Sequence, residues 1–382
     1  MSGMVLSREI SSRQKRFLSQ FADICDDPRG RLLCDLFRGI KASGSTLLTE
    51  ISRQLREPIE LLYTVKRLSR ELSTPRFDVQ SEKVASRLLE HEAALVRADD
   101  IVAVDTSDLA KPYARVLEDL CVVWDGSKKT STRGYWLYES YRVDNDGQPH
   151  VMQLYPYSTT ACDFLSANSE FMVQLEALMD ALDGRGILVM DRGCDRRGLY
   201  DDLLERPKAR WIVRQKGNRH LVGPDGNRKL VRTWARELLA DGSKMRFMEV
   251  RLPRSDTVLQ LVVAAPLHEG DEPLMLLCRL SWWAYVATRA VKGYGKRWRA
   301  EDGMRAIKQG LGLEDFLVRT MFAIRALMRM VALVMAFVGE LIEKEGKLCE
   351  ELLALPHRIP KAVKVMLEPI ITAMRHAAQH PP

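Results

Sequence analysis

Residues 293–312 read GYGKRWRAEDGMRAIKQGLG, and within them Tyr294, Arg297, Glu301 and Lys308 follow the spacing Y-x2-R-x3-E-x6-K. An α-helix turns by about 100° per residue, so steps of three, four and seven residues return to one stripe. The spacing therefore predicts a single helix face that presents a phenol, a guanidinium, a carboxylate and an ammonium together. A carboxylate among cations suits a divalent metal, and the cations and phenol suit the phosphates on which such a metal acts. A solvated face of i,i+4 ion pairs has the same composition. The choice between these readings depends on what the rest of the chain supplies.

Two further carboxylates stand where a metal site needs them. IVAVDTSD (101–108) reads as a short apolar, β-branched strand delivering Asp105 at its tip, and RGILVMDRGCD (185–195) as a second buried strand delivering Asp191. Carboxylates on neighbouring strands, facing a helix that carries a third, are able to hold two Mg²⁺ ions about 3.5–4 Å apart, the arrangement of phosphodiester chemistry. An isolated Asp after a strand is ordinarily a turn or cap residue. Asp108 and Asp195 suit that role and are left outside the metal shell.

The helix motif, the VDTSDLAKPYA block around Asp105, the Gly134-Tyr135 pair and the DRGCD block at Asp191 together resemble the DDE transposases of bacterial insertion sequences, in the branch marked by the Y-R-E-K signature. The likeness covers about residues 100–345. It implies an α/β fold with a ribonuclease-H-like catalytic core, and a triad of Asp105, Asp191 and Glu301 serving both as catalytic residues and as ligands for two Mg²⁺ ions, with Mn²⁺ able to substitute. It also implies double-stranded DNA partners, namely the element's terminal inverted repeats and target DNA, and a homodimer in the synaptic complex. By the same resemblance Tyr294, Arg297 and Lys308 hold DNA phosphates near the cut, and Trp298 assists distortion of the DNA end. The expected activity is cleavage of the element ends followed by transfer of the 3′-hydroxyl strands to target DNA. The alternatives are a nuclease on the same core and a domesticated DNA-binding derivative without turnover.

Composition agrees with a polyanionic partner. The formal net charge is +7 and the isoelectric point about 9.0, although many basic proteins bind no nucleic acid. The seven cysteines are scattered, with no C-x2-C pair, which points away from a disulfide framework or zinc ribbon and toward a reducing cytoplasm. The N-terminus lacks an apolar signal core. The most apolar stretch, MFAIRALMRMVALVMAFVGELI (321–342), contains Arg325, Arg329 and Glu340 and reads as a buried helix on the core, with no membrane partner.

Changes of period divide the chain. Residues 1–95 carry helical periodicity and read as an all-α DNA-binding module. Within it STLLTEISRQLREPIELLYTVKRLSREL (45–72) resembles a helix-turn-helix, with Ser45 or Thr46 as a cap and Pro58 in the first turn of the second helix. On that reading Lys66, Arg67 and Arg70, beside Tyr63 and Thr64, meet DNA, the cations on phosphate; on the other it is a helical hairpin with a basic solvated face. Residues 96–345 form the catalytic core. GYWLYESYRV and VMQLYPY join in a hairpin through Asp144–Gly147, and the segment from about 217 to 285 is a small β-rich insertion. Trp282 and Trp283 after it serve either to stack on an extruded base or to pack a core. Residues 346–382 form a C-terminal helical segment broken near Pro356 and Pro360, used for dimerisation or for packing back on the core.

Overall fold

The structure, a computed structural model, describes residues 3–24, 27–126, 128–268, 270–281, 285–354 and 367–378. Five helices come first: α1 (Gly3–Ser19), α2 (Asp27–Ser43), α3 (Leu48–Leu55), α4 (Leu61–Leu72) and α5 (Pro75–Leu95). At α5 the Thr74 hydroxyl accepts from the Phe77 amide while Pro75 takes the first turn, where a missing N–H leaves nothing unsatisfied. The caps expected at α3 and α4 are different in detail. Leu47 is the capping residue of α3, because the Ser45 hydroxyl is engaged by the Leu47 amide and Thr46 donates to the Gly312 carbonyl across the molecule. Pro58 lies in the connection before α4, which starts three residues later.

The strands follow as β1 (Ile101–Ala110), β2 (Cys121–Asp125), β3 (Thr130–Val143) and β4 (Pro149–Tyr157). Next come α6 (Ala167–Leu182), β5 (Ile187–Met190), α7 (Arg197–Glu205), β6 (Trp211–Arg214), β7 (His220–Val222), β8 (Arg228–Leu230), α8 (Val231–Leu238), β9 (Met245–Val250), β10 (Leu259–Ala264) and β11 (Leu274–Arg279). The predicted hairpin is present: Gly147 takes φ +79°, and the Asp144 carboxylate accepts from the Gln148 amide. Nine strands make one mixed sheet in the order β2-β3-β1-β5-β6-β11-β10-β9, with β4 also on β3. The β1/β3 pairing is antiparallel, and β1, β5 and β6 run parallel.

The segment expected as a small β-rich insertion does not stand apart as a sheet. Among the described residues only β7 and β8 form a separate two-stranded ribbon, while β9, β10 and β11 extend the main sheet through β11 on β6. Strand runs are legible locally, but their partner is chosen by long-range burial: Val262, Leu276 and Cys278 share a core with Val189 and Ile212.

Side chains alternate faces along a strand, and this parity positions everything that follows. Val102, Val104, Met190 and Val213 face the layer built on α6, α7 and α8. Ile101, Ala103, Val189 and Ile212 face the other way, under α9 (Val286–Lys296), α10 (Trp298–Gly310) and α11 (Met321–Lys344). Asp105, Asp191 and Arg214 have the parity of this second face.

α11 is the only described helix long and apolar enough to cross a membrane, and nearly all of it is buried in the fold. Hydrophobic all round, it needs apolar neighbours on every side. It lies between β4 on one side and α2, α4 and α5 on the other, with the Phe337 ring 5.5 Å from those of Phe17 and Phe37. Its buried Arg329 bonds Asp78 and Ser81 of α5. α12 (Gly346–Leu353) and α13 (Leu367–Ala378) end the described chain; the expected break near Pro356 and Pro360 falls outside the described residues. α13 packs back on the body, against α10, α12, α2, α11 and α1.

Candidate active site

The parallel register of β1 with β5 ends at Val104 opposite Met190. The next residue on each strand is an aspartate, so Asp105 and Asp191 lie side by side. Asp191 is at a strand tip as expected, since β5 ends at Met190. Asp105 is not: β1 continues to Ala110 because its other partner, β3, keeps pairing with it, Asp105 opposite Glu139. β6 repeats the pattern. Its Val213 pairs with Met190, and the next residue is Arg214.

The signature residues do not share one unbroken helix. Amide bonds from Arg297 to the Tyr294 carbonyl and from Ala300 to the Arg297 carbonyl tighten the chain at Arg297, so Tyr294 sits on α9 and Glu301 and Lys308 on α10. The joint nevertheless brings three of the four to the aspartates. The Tyr294 hydroxyl donates to the Asp191 carboxylate at 2.8 Å. Arg297 donates from one terminal nitrogen to Asp105 and from the other to Glu301, both at 2.8 Å. Arg297 is thus a fork between two acids, and only 5% of it is exposed.

The electrostatics follow from this packing. Burial pushes the Asp105 carboxyl up to about 6, although Arg297 pulls against it. Asp191 also suffers burial, but the Tyr294 hydroxyl, the Arg192 amide and the nearby guanidiniums outweigh it and hold its carboxyl below the usual range. The two aspartates are therefore driven apart in acidity.

Other predicted residues lie elsewhere. Lys308 bonds the Asp108 carbonyl at 2.8 Å and the Glu314 carboxylate at 2.9 Å, a separate cluster further along β1. Trp298 is exposed, and Trp282 and Trp283 lie outside the described residues. On α4, Lys66 and Arg70 are exposed, whereas Arg67 is drawn inward by Asp35, Glu57 and Glu71. Thr64 is buried on Glu57.

Two site residues escape a reading of sequence. Arg214 stands 3.8 Å from Asp191 and 3.5 Å from the Tyr294 hydroxyl. Its signal was the charge directly after WIV, matching the aspartate after ILVM. Glu139, opposite Asp105, is buried with the Tyr141 hydroxyl donating to it, and burial, then the nearby Asp105, pushes it up to about 8. Nothing local in YES at 138–140 announces it.

Hard carboxylate oxygens are the right donors for Mg²⁺. In the arrangement described, however, no three acid, histidine or cysteine side chains among the described residues stand close enough to hold a metal ion. The Arg297 fork occupies the space between two of the three acids.

The model of one protein family matches residues 143–337, just over half of the chain; it takes in Asp191, Tyr294, Arg297, Glu301 and Lys308 and begins beyond Asp105. No curated protein matches. Among solved structures, the chain is similar to the piggyBac transposase synaptic complex with hairpin DNA, at 12% identity and a TM-score of 0.47, over 91% of this chain and 69% of that one. The family whose model is matched is the transposase DDE domain, and the chain belongs to it.

Proposed function

We propose that this transposase cuts DNA at the ends of a mobile element and joins the freed 3′-hydroxyls to target DNA, with Asp105, Asp191 and Glu301 as its acidic triad on a ribonuclease-H-like core. The observation that carries this reading is the placement of two aspartates one step beyond a parallel strand register, joined to Glu301 through a single guanidinium. The three carboxylates are the residues that would hold Mg²⁺, or Mn²⁺ in its place, once Arg297 has moved. Such ions, when bound, activate an attacking water or hydroxyl and stabilise the leaving oxygen.

The chain's own groups divide the remaining work. Tyr294 orients Asp191 through its hydroxyl, and Arg214 backs both groups from β6. Arg297 and Lys308 are the cations that phosphates would recruit, each giving up carboxylate or carbonyl partners to do so. Lys66 and Arg70, exposed on α4, supply phosphate contacts on the N-terminal helices, and Arg67 holds that helix in place. Two DNA ends cut together require two such cores, hence a DNA-bridged homodimer.

The test is purified full-length protein, MgCl₂ and a supercoiled plasmid carrying the sequences that flank the gene. Cleavage at those ends with 3′-hydroxyl strands transferred to a second plasmid is expected. Cleavage without transfer would reduce the protein to a nuclease, and binding without cleavage to a DNA-binding derivative. Mass measurement of the complex with end DNA should give two chains bridging two ends.

A further inference from the structure

The fork formed by Arg297 has a meaning beyond phosphate binding. Its two terminal nitrogens each take one carboxylate, Asp105 and Glu301, at 2.8 Å. These are the oxygens a divalent ion would need, and a guanidinium and a dication cannot share them without strong repulsion. The exposures of the partners are unequal: the Arg297 side chain is 6% exposed, while those of Asp105 and Glu301 are 30% and 36%. Solvent, and any ion in it, reaches the acids far more readily than the arginine that neutralises them. The guanidinium is also not fully satisfied where it sits, because its buried Nε has no hydrogen-bond partner. Finally, Arg297 is the joint between α9 and α10, the one position of the signature that belongs to neither helix.

We infer that Arg297 is the resident cation of the carboxylate site: it keeps divalent metal out of the DNA-free protein, and it gives up Asp105 and Glu301 when a DNA phosphate offers the guanidinium a better anion. Metal and DNA then bind with positive coupling, since each is favoured by the position of Arg297 that the other requires. The metal-exclusion half stands on the geometry alone; the DNA half rests on the proposed transposase reading.

The experiment uses the full chain without DNA and follows free Mn²⁺ by electron paramagnetic resonance during titration. Arg297→Ala should bind Mn²⁺ at least about tenfold more tightly than wild type, within the usual range of coupling between two ligands. Adding Asp191→Asn to Arg297→Ala should remove that gain, which ties it to the acidic site. Arg297→Met, which keeps an apolar stem at the buried position, provides the same readout should the alanine variant not fold, and circular dichroism reports the fold of each. Equal or weaker Mn²⁺ affinity in a folded Arg297 variant overturns the inference. In a second arm, a short duplex from the flanking sequence should tighten Mn²⁺ binding by wild type and leave Arg297→Ala unmoved. If the first arm succeeds and wild type binds the duplex without tightening on Mn²⁺, metal exclusion stands and the DNA trigger falls, while a duplex that wild type does not bind at all counts against the functional reading instead.

Discussion

Two buried arginines in this molecule each bridge two carboxylates, and they differ in what surrounds the acids. Arg142 on β3 is 2% exposed; it bonds Glu343 of α11 at 2.8 Å and lies 3.7 Å from Glu92 of α5, itself sealed from solvent. Its partners ride on two helices pinned together in the main core, so the pair fastens α5 and α11 to the sheet. Arg297 makes a similar fork, yet both of its acids are about a third exposed, where Arg142 holds one sealed acid and one, Glu343, that is 28% exposed, and Arg297 occupies a joint between helices. Burial of the cation alone does not distinguish a structural ion pair from a reactive one. Access to both anions, with no sealed acid in the fork, does.

The largest effect should come from the open cluster. Asp105→Asn, Asp191→Asn or Glu301→Gln should each lower cleavage of an end-bearing plasmid at least about 10⁴-fold, because on the proposed function each removes a carboxylate that would hold the metal. Thermal unfolding should barely change. If any of the three variants stays within tenfold of wild type, the open cluster is not the reactive one.

The closed cluster should respond in stability. Arg142→Met strands Glu92 and Glu343 and should cost about 3–5 kcal/mol in urea unfolding, the usual loss when one partner of a buried pair is removed. Cleavage per folded molecule should be unchanged. A stability loss below about 1 kcal/mol would show that this fork is no more a fastening than that of Arg297.

Glu92 sharpens the contrast through pH. Burial pushes its carboxyl up to about 7, against the pull of His150 and Arg142 and with Glu343 and Glu340 adding to the rise. The native state therefore keeps a proton that the unfolded chain releases near pH 4.5, and Glu92 subtracts stability progressively as pH rises between those values. Glu92→Gln removes that loss, so relative to wild type it should gain about 2–3 kcal/mol on going from pH 4 to pH 8. Urea curves at the two pH values measure this; a difference that is the same at both would mean that Glu92 titrates in the fold as it does in the unfolded chain.

The smallest effect is expected at Tyr294→Phe. It removes one hydrogen bond to Asp191, worth about 0.5–1.5 kcal/mol, and should slow cleavage by about 2- to 10-fold. A much larger loss would place the phenol itself on the reacting phosphate.

Much of this site is legible in the amino-acid order, for identifiable reasons. ILVMD is a strand run whose end carries its charge, IVAVD a run that continues past its charge to Ala110, and period-two alternation places both aspartates on the face that the signature helices cover. What spacing cannot disclose is which anion a guanidinium takes: Arg297 four residues before Glu301 is equally an i,i+4 pair and a phosphate ligand. Nor does it reveal cross-strand neighbours, so Glu139 beside Asp105 and Arg214 beside Asp191 wait for the register. The same blindness to long-range pairing makes β9 to β11 read as an insertion when they extend the sheet. On α4, Arg67 looks interchangeable with Lys66 and Arg70 until Asp35 and Glu57 from other elements take it.

The contact of α13 with α10 bears on the order in which the molecule is made. A side chain on Gly310, the last residue of the helix that carries Glu301, would lie 3.2 Å from Ile371 of α13, and α13 also touches α1 and α2. During synthesis the sheet and both aspartates emerge well before this support, and domains assemble as their segments appear. A nascent chain can thus pair its strands while the helix bearing the third acid is still unbraced on one side. The helix that braces α10 from this side is translated more than sixty residues after Glu301, so the third acid's helix gains that support later than the sheet that carries the two aspartates forms.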